Sequence, residues 1–304
     1  MEKILEFFGQ IAPYLLFIPI GLLMDKKGWV SKNWVTTPLI YFLMPVLVIN
    51  HVLEADSSTI LILPVMSFSL AALMNLPALW ATKTFAKDEN PHMVKTSFAF
   101  FNVAFFGIPT VLALYGQAGV TTLISIYVGT ALYGDVIGYY QVSRTKNGVK
   151  TSFLKIIQVP FLYAFALAVV LRFLDFEVPE EVEPVTEVFS YIVSAAGMMI
   201  IGMNITNIKF KGLDWLYLRK FMTLRVISAI VIAAIIMAIE YFWLNELDSE
   251  SREIMALIPL FPVAANVTVF ASFLKSKEEE SALLIILSMA ISLVLIPIVI
   301  QFFE

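Results

Sequence analysis

Two long apolar stretches each place an asparagine near proline, although neither residue type favours a helix there. The first stretch, FAFFNVAFFGIPTVLALYGQAG at 98–119, holds Asn102, Gly107 and Pro109. The second stretch, IPLFPVAANVTVFA at 258–271, holds Pro259, Pro262 and Asn266. Proline lacks the helical N–H and its ring clashes with the carbonyl four residues back, so both helices are predicted to break. Beside each break, the Asn side chain offers one carbonyl acceptor and two N–H donors to a ligand.

The two breaks favour the binding of an anion. After each break a new half-helix begins, with proline near its start, where the missing N–H does least harm. The N-terminus of a half-helix presents free N–H groups and about half a positive charge, which suits a carboxylate. Broken backbone inside a membrane also needs burial in protein or a water-filled cavity. We therefore expect Asn102 and Asn266 to bind a substrate or to orient the crossing of the two helices. The alternative is that both amides only hydrogen-bond neighbouring helices together.

The elements that must position these residues are membrane-spanning helices. The chain is 60% apolar and only 14% charged, with a mean hydropathy of +0.86, which indicates an all-α integral membrane protein. Its apolar residues form ten runs of about twenty, enough to cross a hydrocarbon core of roughly 30 Å. The first run contains Pro13 and Pro19 and lacks a cleavage site, so it is predicted to be a true span. The predicted spans one to ten are 8–24, 35–53, 60–81, 94–114, 120–142, 153–174, 188–207, 218–240, 254–274 and 282–303.

Charge predicts the orientation of these spans. All but three of the 20 Lys and Arg residues lie in or beside alternate connections, which are therefore expected to be cytoplasmic. Both termini are then outside, and most of the 24 acidic residues lie on the outer side. The expected setting is the plasma membrane, taken as a bacterial inner membrane, with the lipid bilayer as a partner. The charge difference could also favour capture of an anion from the cytoplasm.

The ten predicted spans divide into two halves of five. An odd number of spans turns the second half upside down, which is the inverted-repeat arrangement of many secondary transporters. We expect 1–142 and 153–304 to be the two repeats, joined by a short basic connector. Spans four and nine, which carry the predicted breaks, then occupy matching positions. Matched broken helices are a sequence indication of a transport site.

Three further polar residues within spans are candidates for the site. Asn50 in span two and Asn204 in span seven form a second matched pair, whose simpler explanation is close helix contact. Asp135 in span five is a candidate site for a coupling ion, because a carboxylate inside a membrane is costly to ionise. The alternative is that Asp135 reaches the membrane interface or pairs with Arg144. His51 is expected to be a solvated residue at the outer boundary.

Several function classes lack their residues in this sequence. There is no phosphate-binding glycine loop, metal-ligand cluster or nucleophile elbow, so we expect no enzyme activity and no cofactor or metal. The chain has no cysteine and only two histidines. We expect no nucleic-acid partner, and we expect no basic residue at the span centres, which argues against a voltage sensor. Coupling to H⁺ or Na⁺ and assembly as a homodimer are left open.

The polar motifs resemble a known transporter family. FNVAFFGIPTVLALYGQAG is similar to the asparagine, glycine and proline motif in the fourth helix of the auxin efflux carrier family. This family includes PIN-type plant carriers and bacterial malonate or malate carriers, within the bile-acid/sodium symporter-like superfamily. SAAGMMIIGMNI at 194–205 resembles the seventh helix of the family. The stretches IPLFPVAANVTVFASFLK and ALLIILSMAISLVLIPIVI are similar to the last two helices of the family.

The resemblance implies a fold and a mechanism. Helices four and nine would cross at their breaks, with Asn102, Pro109, Pro262 and Asn266 at the crossover. Helices 1, 2, 6 and 7 would form a scaffold domain, and helices 3–5 and 8–10 a transport domain that moves like an elevator. The chain lacks the long cytoplasmic loop of the plant members, so regulation through that loop is not expected.

Three functional hypotheses follow from the sequence. The leading one is a secondary or facilitative carrier of a small organic anion, such as malonate, malate or an auxin-like acid. A second is a sodium-coupled symporter resembling bile-acid carriers. A third, from another class, is a membrane sensor or receptor with a transporter-like core.

Overall fold

A computed structural model describes residues 2–55, 57–143, 150–151, 158–206, 214–268 and 278–303. Within these residues the secondary structure is helical, and one isolated antiparallel bridge joins Phe101 to Val263. The α-helices of this part of the chain are α1 Glu2–Leu15, α2 Phe17–Lys27, α3 Lys32–Pro38, α4 Met44–Glu54, α5 Ser57–Leu73, α6 Asn75–Thr84, α7 Pro91–Ala99, α8 Ile108–Ala131, α9 Tyr139–Ser143, α10 Pro160–Phe173, α11 Glu183–Ile205, α12 Trp215–Ile239, α13 Ser249–Leu257 and α14 Glu278–Val299.

Short helices of other types join several of these α-helices. The π-helical segments are Leu39–Leu43, Val103–Gly107, Leu132–Gly138 and Glu240–Leu244. The 3₁₀ segments are Glu180–Val182, Ile258–Leu260 and Ile300–Phe302. Because these segments continue the helical path, pairs such as α3 and α4 form one continuous helical stretch.

Seven helical stretches of the described residues are long and apolar enough to cross a membrane. They are Phe7–Lys27, Lys32–Glu54, Thr59–Thr84, Val103–Ser143, Pro184–Ile205, Trp215–Leu244 and Glu280–Phe302. The protein is therefore an all-helical membrane protein by length and composition. The remaining predicted spans lie differently: α10 is a shorter apolar helix in span six, and span nine is helical up to Leu260 and again at 267–268 in the described residues.

The longest of these stretches is a hairpin and not a rod. Helix α8 is interrupted at Gly116, where φ is 67° and ψ is −158°. A Cβ built on Gly107 would lie 3.4 Å from Leu123 Cδ2, although a straight helix would separate these residues by about 24 Å. Glycine is needed at the turn because an L side chain is strained at positive φ. The second half of predicted span four and predicted span five thus lie side by side.

Helix α11 packs closely against α2. A Cβ on Gly21 would lie 2.0 Å from the Met199 carbonyl oxygen, and one on Gly202 would lie 1.9 Å from that of Ile18. Small residues allow this backbone approach, which is a common means of helix association in membranes.

Helix α10 packs against α4, and Arg172 of α10 donates to the carbonyl of Val52 at 3.0 Å.

Helix α5 packs against the second half of α8. A Cβ on Gly129 would lie 2.0 Å from the Pro64 carbonyl oxygen, so the two backbones approach as closely here as α2 and α11 do. Ser67 Oγ donates to the Ile126 carbonyl at 2.8 Å and holds the two helices in register. Predicted spans three and five are therefore neighbours.

Replacing Gly202 by Ala is expected to destabilise the protein by about 1–3 kcal/mol, because the added methyl group forces α2 and α11 apart. In detergent, the melting temperature should fall by several degrees. Gly9→Ala is a matched control, because nothing lies within 4 Å of a Cβ at Gly9. If both variants melt together with the wild type, the close contact at Gly202 is not important for stability.

The buried aromatic core lies where the chain of α7 continues into the segment before α8. Phe98 and Phe221 are fully buried, with ring centroids 4.7 Å apart. Phe106 and Phe261 are also fully buried, with ring centroids 5.8 Å apart. By contrast, α12 exposes a row of large apolar side chains, Ile227, Ile230, Val231 and Ile235, as expected for contact with lipid.

Candidate functional site

The two sequence stretches with predicted breaks contact each other through their backbones. Helix α7 ends at Ala99, and the 3₁₀ segment after α13 ends at Leu260. Between these ends and the next helical residues, Asn102 N–H donates to the Pro262 carbonyl at 2.9 Å, and Ala264 N–H donates to the Phe100 carbonyl at 3.0 Å. These two hydrogen bonds flank the Phe101–Val263 bridge and make an antiparallel crossing.

The position of the first break differs from the one expected from proline. The chain leaves the helical conformation at Phe100–Asn102, seven residues before Pro109. Pro109 lies at the start of α8, directly after the π-helical segment Val103–Gly107. The carbonyl that its ring would hit in an α-helix belongs to Phe105, which lies in that wider turn. The proline therefore sits near a helix start, as expected, but the capping residue Asn102 marks the break.

Asn102 caps the half-helix that follows the break. Its Oδ1 accepts a hydrogen bond from Phe105 N–H at 3.2 Å, as an N-cap side chain does. Its Nδ2 is buried and has no hydrogen-bond partner in the described part of the chain. The side chain is only 3% exposed, so this unpaired donor is costly unless a ligand accepts from it. The Oδ1 atom of the amide is therefore structural, and the Nδ2 atom has no partner among the described residues.

Three side chains satisfy the remaining backbone groups at the crossing. Ser288 Oγ accepts from Val263 N–H at 2.9 Å, and Ser292 Oγ donates to the Leu260 carbonyl at 2.5 Å. Arg225 of α12 donates to three carbonyls of the two broken segments. Polar side chains from two neighbouring helices thus compensate the backbone groups that the breaks leave unpaired.

The expectation of no basic residue at the span centres is wrong, because Arg225 lies near the middle of α12. The residue is only 1% exposed and lies within α12, although its proximity to Arg219 and Lys220 groups it with the basic connection in the sequence. No feature of its local sequence distinguishes a buried arginine from a loop arginine. Its position could have indicated burial, because it lies ten residues after Trp215, where α12 begins, and so well inside the helix.

A cavity of about 580 Å³ lies beside the crossing. Its size is in the range of small-molecule sites. Its polar lining residues include Lys32, Asn102, Thr130, Asp135, Asn204 and Asn266. Aromatic rings, among them Phe105, Tyr127 and Phe161, line the rest. Four of the predicted site residues are therefore brought to one cavity.

No family model matches this chain, and no curated protein matches it.

Lys32 is a cavity residue that the sequence did not single out. It is the first residue of α3, and its Nζ donates to Asn204 Oδ1 of α11. Asn204 is 2% exposed, so the amide is held firmly and positions the ammonium group at the cavity wall. A basic residue near the end of a predicted span is usually attributed to membrane orientation, and that attribution concealed Lys32.

Asp135 places a carboxyl group in the same cavity. It belongs to the π-helical segment Leu132–Gly138 and makes no hydrogen bond or ion pair with the described residues. Arg144, its alternative partner, lies outside the described residues. The cavity therefore contains one acidic and one basic side chain from the described part of the chain.

Asn266 belongs to the second crossing segment and follows the bridge residue Val263. It follows the break in a turn and is exposed to the cavity, while the helical hydrogen bonds resume with Val267 N–H donating to the Ala264 carbonyl at 3.1 Å. Residues 269–277 are outside the described part of the chain.

Four predicted site residues do not line the cavity. Asn50 is buried on α4, where its Nδ2 donates to Glu54 at 2.5 Å. Gly107 packs against Phe261, and a Cβ there would lie 2.7 Å from the Phe261 ring. Pro109 is buried at the start of α8, and Pro262 contributes its carbonyl to the crossing. Gly107, Pro109 and Pro262 belong to the crossing segments, and none of the four residues lines the space that a ligand would occupy.

His51 is buried and not a solvated interfacial residue as expected. It is 3% exposed, and its Nδ1 lies 2.9 Å from Thr121 Oγ1 and 3.4 Å from Glu54 Oε2. Its contacts connect α4 to α8 away from the cavity.

The cavity wall next to Asn102 favours negative charge. Val103, Ala104 and Phe105 form the first turn of the half-helix and line the cavity. Val103 N–H donates to the Phe101 carbonyl, whereas the Ala104 N–H has no acceptor among the described residues. Together with Asn102 Nδ2 and Lys32 Nζ, this N–H group can bind the oxygens of a carboxylate.

Proposed function

We propose that this protein is a secondary carrier that moves a small organic anion across a membrane. The observation that carries the proposal is the cavity beside the antiparallel crossing, where Asn102, Lys32 and the Ala104 N–H present hydrogen-bond donors. Secondary transporters bind substrate at discontinuous helices whose N-termini point at anionic groups. The rings that line the remaining wall, Phe105 and Phe161 among them, suit the carbon skeleton of a carboxylic acid.

We propose ten spans in two inverted repeats for this carrier. Two helix pairings support the repeat: spans one and seven pack through α2 and α11, and spans two and six pack through α4 and α10. Span one of the first pair corresponds to span six, five positions later, and span seven corresponds to span two, five positions earlier. The first pair therefore corresponds to the second pair. An inverted repeat requires this exchange.

The proposed movement is an elevator-type displacement of spans 3–5 and 8–10 along a scaffold of spans 1, 2, 6 and 7. Support comes from the contact between Gly197 of α11 and Phe105 at the crossing, where a Cβ on Gly197 would lie 2.6 Å from Phe105 Cβ. A glycine at this position leaves a smooth helix surface on which the crossing can slide. Both termini would lie outside the cell, in a bacterial inner membrane.

The substrate would be a small carboxylate, as in the auxin efflux carrier family that the motifs resemble. The donors of the cavity can satisfy one carboxylate group, and its volume of about 580 Å³ accommodates a small organic molecule. Asp135 would carry a coupling proton, because a protonated carboxyl group does not repel the substrate.

Flux of labelled malonate, malate and indole acetate into proteoliposomes tests the proposal. The double variant Asn102→Ala with Asn266→Ala is expected to lower flux at least about tenfold, because two amides that face the cavity are lost. Asn50→Ala is the control, because it removes a buried amide that does not line the cavity. Wild-type flux in the double variant, at equal amounts of folded protein, would remove the proposed site.

A further inference from the structure

We propose that Arg225 is a built-in cation that takes the place of a coupling cation at the helix crossing. The inference rests on the proposed transport function and specifies its coupling. Neither the folding of the crossing nor the flux of substrate then requires Na⁺ at this point.

The guanidinium of Arg225 bridges both broken segments. Its Nε donates to the Ser97 carbonyl at 2.9 Å, and its Nη2 donates to the Phe100 carbonyl at 3.4 Å. Its Nη1 donates to the Phe261 carbonyl at 3.3 Å. Two of these carbonyls end α7, and the third follows the 3₁₀ segment after α13. One side chain therefore joins the ends of two half-helices.

These carbonyls form an electronegative site. The C-terminus of a helix carries about half a negative charge, and its last carbonyls lack helical partners. Two such ends meet at the crossing, so a single positive charge balances them. In Na⁺-coupled carriers, unwound carbonyls and the C-terminal ends of half-helices coordinate the ion. Here the guanidinium already donates to the carbonyls that would coordinate it.

The charge of Arg225 has no acidic counter-ion. The side chain is 1% exposed, and no carboxylate lies within ion-pair distance of it in the described part of the chain. Its guanidinium stacks over the Phe101 ring at 4.8 Å from the centroid. Phe101 lines the cavity, so the positive charge lies one ring away from the proposed substrate. A buried cation in this position stabilises the crossing and favours an anion in the cavity.

Thermal stability of the purified protein tests the inference. The melting temperature is measured in NaCl and in choline chloride at equal ionic strength, for the wild type, Arg225→Lys, Arg225→Met and Arg219→Met. Arg219 is the matched control, because it is exposed on the same helix. We expect the wild type to melt at the same temperature in both salts and Arg225→Met to melt roughly 10 °C lower. Arg225→Lys should retain most of the stability, because it keeps the charge.

Rescue distinguishes a replaced cation from a lost packing contact. Methylguanidinium is expected to raise the melting temperature of Arg225→Met but not that of Arg219→Met, since only the first variant has a vacant cation position. Preferential stabilisation of the wild type by NaCl overturns the inference, as does an Arg225→Met variant that is as stable as Arg219→Met or is not rescued. If Arg225→Met does not fold, the wild type and Arg225→Lys still decide the matter, and stabilisation of either by Na⁺ overturns the inference.

Flux measurements separate this inference from the proposed function. With the labelled carboxylates, wild-type flux is expected to be equal with and without an inward NaCl gradient. Flux that requires Na⁺ overturns the inference and leaves the carrier function intact. Absence of any flux, together with the expected melting behaviour, overturns the carrier function alone.

Discussion

Thr130→Trp is expected to reduce anion flux to the level of protein-free liposomes while the protein stays folded. Thr130 lines the cavity, and its hydroxyl donates only to the Tyr127 carbonyl of its own helix, at 3.0 Å. An indole at this position occupies space that the substrate needs, in the cavity that Asn102 and Asp135 also line. Because the residue is half-buried at the cavity wall, the larger side chain can enter the cavity without displacing a helix. The measurement is uptake of a labelled carboxylate at equal protein content.

Thr122→Trp is the control for this variant. Thr122 lies on the same helix and is half-buried, but it does not line the cavity. We expect it to retain flux of the same order as the wild type. Equal flux in Thr130→Trp and Thr122→Trp, with unchanged melting temperatures, would show that the substrate does not pass through this cavity.

Glu240→Ala is expected to cost about 3–5 kcal/mol of stability, because Glu240 closes the connection between α12 and α13. Its Oε1 accepts from Glu246 N–H and from Leu247 N–H, both at 3.0 Å. Its Oε2 accepts from Arg252 Nε at 2.8 Å. Removing the carboxylate leaves the buried Leu247 N–H unpaired and Arg252 without its ion-pair partner. The melting temperature should fall by roughly 10 °C.

The protonation state of Arg252 keeps this loss unchanged from neutral to moderately alkaline pH. Hydrogen bonding to Glu240 raises the pKa of Arg252 above its ordinary value, so the guanidinium stays charged across the stable range of the protein. Stability from a raised basic pKa is present below the unfolded pKa and is lost only at strongly alkaline pH. Glu246→Ala is the control, because it removes an exposed carboxylate of the same connection. A Glu240→Ala variant as stable as Glu246→Ala would contradict the expected role.

Composition was sufficient to predict a helical membrane protein, since long apolar runs must satisfy their backbone groups internally. The apolar runs also separated spans four and five at 115–119, and the turn at Gly116 lies in that connection. They could not show that these two spans pack against each other. The packing of Gly107 beside Leu123 can be recognised only in the folded structure.

The candidate site was predicted where local chemistry determines the outcome. Asn102 caps a half-helix because its side chain competes with the backbone for hydrogen bonds, and this preference is local. Arg225 donates to the carbonyl of Ser97, more than a hundred residues earlier in the sequence, and to that of Phe261. No rule of sequence spacing reveals these partners. Asn50 resembled Asn204 in the sequence, but only Asn204 faces the cavity, because tertiary contacts decide which way each helix is turned.

The crossing is joined by peptide groups, with Phe101 and Val263 paired only through their main chains. The main-chain hydrogen bonds of this joint are therefore kept when the side chains at these positions change over evolutionary time. Descendants of one ancestral sequence could acquire new cargo preferences by exchanging rings and aliphatic groups around a constant scaffold of amides. Diversification of such proteins would then require few compensating substitutions elsewhere.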